Sequence, residues 1–146
     1  MIGEFIGALT ALLDNARIFS AEQEKDRESA AILVERVADL TQAIANLRAD
    51  ELGGESPLSE HDSNELWRSC SELDSYNDAE TRRILRSAVG DGAVQINRMI
   101  RESIGAPGAF GTNFLYSRNQ VRDNRHVLLR LEGELRASAM KMRTRS

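Results

Sequence analysis

"RIFSAEQEKDRESAAIL", residues 17–33, sets a run of strongly polar positions between two apolar stretches and contains neither Pro nor Gly. It reads either as a loop joining two helices or as the polar middle of one long helix, and that choice fixes the architecture of the first third of the chain. A heptad frame counted from Ile2 puts Ile2, Leu9, Ala16, Gln23, Ala30, Val37 and Ile44 at a positions, and Phe5, Leu12, Phe19, Asp26, Leu33, Leu40 and Leu47 at d positions. All are apolar except Gln23 and Asp26, which both lie inside the polar stretch. Ile6, Leu13 and Val34 at e positions widen the stripe, as a core-facing helix requires. A loop of arbitrary length would not in general preserve the heptad phase, and here the phase is preserved. Residues 20–29 are also good helix formers, with Glu22 and Lys25, and Glu24 and Arg27, at favourable i,i+3 spacing. Two features argue the other way. Ser20 with Gln23 has the form of a capping box, and Glu22 with Asp26 and Glu24 with Glu28 are like-charge i,i+4 pairs. The phase predicts one helix from about residue 2 to about residue 52, roughly 75 Å long at ~1.5 Å per residue. Such a rod exceeds the width of a compact domain of this size, so part of it must stand out or lie against another subunit. A break at Ser20 would instead fold the same stripe into two helices of a compact bundle.

Composition supports a helical answer. The chain has 146 residues with aromatics at 5%, and Ala, Leu, Glu and Arg recur throughout. That balance favours packed helices over a β-sandwich or barrel. The expected fold is all-α, a single antiparallel bundle of four to five helices with a long N-terminal helix. One cysteine, Cys70, excludes a disulfide framework and a cysteine-based zinc site. No Lys or Arg precedes the apolar N-terminal stretch, and Glu4 and Asp14 interrupt it well short of the ~20 residues needed to span a bilayer. Neither a signal peptide nor a membrane span is expected, and the cytoplasm is the expected compartment.

"GGESPLSEHDSNE", residues 53–65, is the clearest loop, and a short helix is expected over about 59–75 with Leu66, Trp67, Cys70 and Leu73 at helical spacing. A helix kinked at Gly90 and Gly92 is expected over about 78–104, then a second loop, "GAPGAFGTN". A last helix over about 113–141 sets Phe114, Val121, Leu128, Leu135 and Met142 at one heptad position, and "KMRTRS" is expected to fray.

Charge is divided along the chain. Residues 1–78 hold 17 acids against 6 bases, and residues 79–146 hold 6 acids against 13 bases. The plain reading is an acidic half packed on a basic half. His61 and His126 are the only histidines, and no Glu-x-x-His or His-Glu-x-x-His spacing occurs, so the sequence offers no catalytic set, metal site, cofactor or small-molecule substrate.

The run "RNQVRDNRH", residues 118–126, is the most distinctive polar segment. On one helix Arg118, Arg122 and Arg125 fall at i, i+4 and i+7, with His126 one turn beyond Arg122. It resembles the HEPN ribonuclease family, helical bundles with an Arg, a polar residue and a His on a late helix. The interval departs from that family's four to six residues: three lie between Arg122 and His126, and seven between Arg118 and His126. The resemblance covers these nine residues and implies His126 as acid/base, with Arg118 or Arg122 stabilising phosphate charge. More broadly, Arg82, Arg83, Arg86, Arg98, Arg101 and the Arg118 to His126 stripe could bind a phosphate backbone, although Tyr116 is the only aromatic near the stripe. The N-terminal face, with Gly3 and Gly7 opposite the apolar stripe, also has the form of a membrane-active helix, but lacks the basic polar face such helices carry.

The favoured reading is a non-enzymatic interaction or assembly subunit that pairs helix faces in coiled-coil fashion. Its expected anchor is Ile2, Phe5, Ile6, Leu9, Leu12, Leu13 and Phe19, and its expected partner a protein, most simply a second copy. Nucleic-acid binding, membrane action and a HEPN-like ribonuclease are the alternatives.

Overall fold

A computed structural model describes residues 2–46, 60–74, 95, 96, 98 and 118–145. Among these residues there are five helices and no strand: α1, Ile2–Ile18; α2, Glu24–Ala45; α3, Glu60–Asp74; α4, Arg118–Asp123; and α5, Arg125–Met142. Of the loop expected over 53–65, residues 60–65 are instead helical, as the first residues of α3, and residues 53–59 lie outside the described residues, as do the loop expected at 105–113, the kink at Gly90 and Gly92 and most of the helix expected over 78–104.

The protein is an all-α helical bundle organised around α2 and α5, which run antiparallel. Arg143 at the end of α5 meets Glu28 at the start of α2 at 2.9 Å, Arg136 midway meets Asp39 at 2.9 Å, and Arg125 at the start of α5 donates to the Ala45 carbonyl at 2.7 Å. Small residues allow the two helices to lie close, since Ala30, Ala31, Ala38 and Ala45 of α2 and Ala139 of α5 are all buried. Leu33, Val37, Leu40 and Ile44 fill the space beside them together with Leu128, Leu131, Leu135 and Met142. α3 adds Leu66 and Cys70 through its packing on α2, and α1 lies against α5.

The continuous helix expected over residues 2–52 does not form. α1 ends at Ile18, closed by a bond from the Phe19 N–H to the Ala16 carbonyl, and α2 begins at Glu24. Ser20 does not cap α2. Gln23 is its N-cap, extended at φ −82°, ψ 129°, with its carbonyl accepting from the Asp26 and Arg27 amides. Burial is the reason for the break. α2 begins level with the end of α5, so a straight helix would carry residue 2 about 33 Å past that end at ~1.5 Å per residue. Turning back instead buries Phe5, Leu9, Leu12 and Leu13 within the chain. At ~1.5–3 kcal/mol per side chain this outweighs a few interrupted helical hydrogen bonds at ~0.5–1.5 kcal/mol each.

The C-terminal helix is also two pieces. Asn124, at φ −107°, ψ 9°, interrupts it between α4 and α5. Its amide bonds back to Val121 at 3.2 Å and its carbonyl accepts from Leu128 at 3.0 Å. Asn is a poor helix former and tolerates this bridge-region geometry. The apolar line Val121, Leu128, Leu135 and Met142 is nonetheless buried throughout. The final residues do not fray: Arg143, Thr144 and Arg145 all make hydrogen bonds.

Because Leu9 is buried in the shared core, Leu9→Ala is expected to lower the unfolding free energy by ~2–5 kcal/mol in urea titration monitored by circular dichroism. Ala11, exposed on the same helix, should tolerate Ala11→Ser to within ~0.5 kcal/mol.

Candidate functional site

The break between α1 and α2 leaves backbone carbonyls without their helical donors, and two arginines, Arg27 and Arg145, supply replacements. Arg27 Nη1 donates to the carbonyls of Ala21 at 2.8 Å and Glu22 at 2.7 Å, while its Nε donates to the Arg143 carbonyl at 3.2 Å. Arg145 Nη1 donates to the carbonyls of Ala16 at 3.0 Å and Phe19 at 3.5 Å. Arg143 pairs with Glu35 and, at 2.9 Å, with Glu28. Hydrogen bonds that it donates to Glu35 first, then to Glu28, hold its guanidinium pKa above the ordinary arginine value. The chain terminus and the start of α2 thus clasp the bend between them.

The clasp belongs to a larger seam joining acidic α2 to basic α5. Arg136 sits between Glu132 at 2.7 Å and Asp39 at 2.9 Å, with Gln42 at 3.3 Å. Burial pushes its pKa down, and the bonds to Glu132 and Asp39 reverse that, leaving it raised. Arg36 extends the seam to Asp39 and to Glu72 of α3. Glu28, Glu35 and Asp39 of the acidic half thus pair with Arg136 and Arg143 of the basic half.

The expected anchor residues are core, not surface. Phe5, Leu9, Leu12, Leu13 and Phe19 are buried within the single chain and Ile6 packs partly buried against them. The side chain of Ile2 lies outside the described residues. In this conformation the stripe is not open to a partner, because α5 and the rest of the core already cover it.

The segment of residues 118–126 is divided between two helices. The break at Asn124 puts Arg122 and His126 on different helices. Arg122 lies 3.4 Å from Asp123, Arg125 turns inward to the Ala45 carbonyl and satisfies the end of α2, and His126 is exposed. The Arg118 side chain, with Arg82, Arg83, Arg86, Arg101 and Tyr116, lies outside the described residues.

What sequence reading missed is the outer face of α5. Leu129 is 42% exposed and Met140 69% exposed, and exposed Gly133 and Ala137 lie between them on the solvent side. An added Cβ at Gly133 would meet nothing within 4 Å, so none of the described residues requires a glycine there. His126, Arg130 and Lys141 flank this strip. Ile18, at the end of α1, is 81% exposed. The signal was present in the sequence as Leu129, Gly133, Ala137 and Met140 at i, i+4, i+8 and i+11, but the buried line on the same helix is stronger.

No group of three or more potential metal ligands occurs among the described residues, and no described helix is long and apolar enough to cross a membrane. No family model matches the sequence, and no curated protein or solved structure matches it significantly.

Two variants separate structure from surface in the 118–126 segment. Arg125→Ala is expected to cost ~1–2 kcal/mol of stability by orphaning the Ala45 carbonyl, whereas His126→Ala should change stability by less than ~0.5 kcal/mol; urea denaturation of both reads the difference. Gly133→Ala is expected to raise stability by ~0.5–1 kcal/mol in the same assay, since the added methyl meets no neighbour.

Proposed function

We propose that this protein is a non-enzymatic assembly subunit that works by pairing helix faces, with a second copy of the chain as the simplest partner. The observation that carries the reading is the outer face of α5: an exposed strip of Leu129, Gly133, Ala137 and Met140 that none of the other described helices covers. A glycine in mid-helix costs stability, and one with open space over its Cβ is suited to the close approach of a second helix. The cations Arg130 and Lys141 at its edges favour a partner helix with acidic flanks. The outward face of α1 has that character in Glu4 and Asp14, beside Gly3, Gly7 and Ala11. In this reading the N-terminal apolar stripe holds the subunit together and the outer faces of α5 and α1 choose the partner. Buried, unbridged Cys70 is in keeping with a reducing compartment such as the cytoplasm.

Mass measured by light scattering across a wide concentration range tests the proposal. Growth of the apparent mass with concentration is expected for the native chain and is expected to be lost in Leu129→Lys/Met140→Lys, which should stay folded because both positions are exposed. A native chain that stays monomeric at every concentration contradicts it.

A further inference from the structure

We propose that α1 is exchangeable: the bend at residues 19–23 straightens, and the α1 of each of two copies docks on the α5 of the other. The proposal rests on the assembly reading above, in which the outer strip of α5 brings two copies together, and adds an exchange of α1 across the inner face of α5 once they have met. Three observations carry it.

First, the heptad phase runs unbroken through the bend, so on a straight helix the buried faces of α1 and α2 share one side. Phe5, Leu9, Leu12 and Ala16 would align with Ala30, Leu33, Val37, Leu40 and Ile44. A hinge joining two helices has no need of that register. Second, the bend contains no Gly or Pro, and Gln23, the N-cap of α2, makes no side-chain capping bond. It is a segment of helix-forming residues held in a bent state. Third, what holds it bent is the set of arginine contacts. The carbonyls of Ala16, Phe19, Ala21 and Glu22 accept from Arg145 and Arg27, and in a straight helix each would accept from the amide four residues on, at Ser20, Gln23, Lys25 and Asp26. Straightening replaces side-chain donors by backbone donors, so no carbonyl is left without a partner. The apolar contacts of α1 with α5 are also preserved, because the second copy offers the same surface.

The competition between forms therefore depends on protein concentration and on the arginines. A straightened single chain would expose Phe5, Leu9, Leu12 and Leu13, so the bent form prevails when the protein is dilute. Two copies bury both stripes and keep both helices straight.

Arg17 of α1 and Glu134 of α5 face each other at 3.5 Å and provide the test. Arg17→Cys/Glu134→Cys, in a chain also carrying Cys70→Ser, is refolded at high concentration, separated by gel filtration and treated with a short bismaleimide. Denaturing electrophoresis then shows whether the link joins positions within one chain or between two. The expected result is covalent dimer from the dimer fraction and internally linked monomer from the monomer fraction. Internally linked monomer from both fractions overturns the exchange while leaving the assembly reading intact. A protein with no dimer fraction at any concentration overturns both. Arg27→Ala/Arg145→Ala is expected to raise the dimer fraction about tenfold, the effect of losing roughly one charge-assisted hydrogen bond from the bent form. Ser20→Gly/Glu22→Gly, at exposed positions that penalise only the straight helix, is expected to lower it by a similar factor. Unchanged dimer fractions in both variants overturn the hinge mechanism.

Discussion

The apolar face of α1 can be covered within one chain only if the backbone turns between Ile18 and Glu24. Every other feature of the bundle accommodates that turn. It returns Phe5, Leu9 and Leu12 to the surface of α5, brings Arg17 beside Glu134, and places the Ala16 and Phe19 carbonyls where Arg145 reaches them. The driving term is the removal of large apolar side chains from water, and the polar contacts decide where the chain bends rather than whether it does.

Electrostatics fixes the pairing of the two central helices. α2 contributes Glu28, Glu35 and Asp39, α5 and its extension contribute Arg136 and Arg143, and each acid meets a base only if the helices run antiparallel in this register. These pairs are partly exposed and individually worth ~1 kcal/mol or less, so their contribution is orientation more than stability. Core packing of alanines against leucines supplies the cohesion. Specificity and stability are thus carried by different side chains on the same two helices.

The helical class, the inward face of each helix and the antiparallel pairing of an acidic with a basic segment were legible in the sequence, because apolar period and charge sign are local properties of the chain. The bend was not, although it was marked: Gln23 and Asp26, the two places where the stripe fails, bracket the start of α2. Their weight was misjudged because register speaks only to which face is apolar, while the bend is set by where α5 ends, a long-range fact. The break at Asn124 was hidden for a similar reason, since Val121 and Leu128 keep their spacing across it. The expected anchor was read correctly as an apolar face and misplaced as an open one. Arg145, which supports the bend at Ala16 and Phe19, lies 129 and 126 residues from them, and no local pattern links positions so far apart. The outer strip of α5 was overlooked because its small residues contribute little to any hydrophobic period.

The direction of α1 relative to α2 in the monomer separates the bent chain from the straight one. Spin labels at exposed positions, Thr10→Cys and Asn46→Cys in a Cys70→Ser chain kept dilute, would report it as a pulsed-EPR distance. A chain folded back on α5 gives a single separation below ~30 Å, within the span of a compact domain of this length. A continuous helix places the two labels ~54 Å apart at ~1.5 Å per residue, and a distance near that value in the monomer would contradict the account.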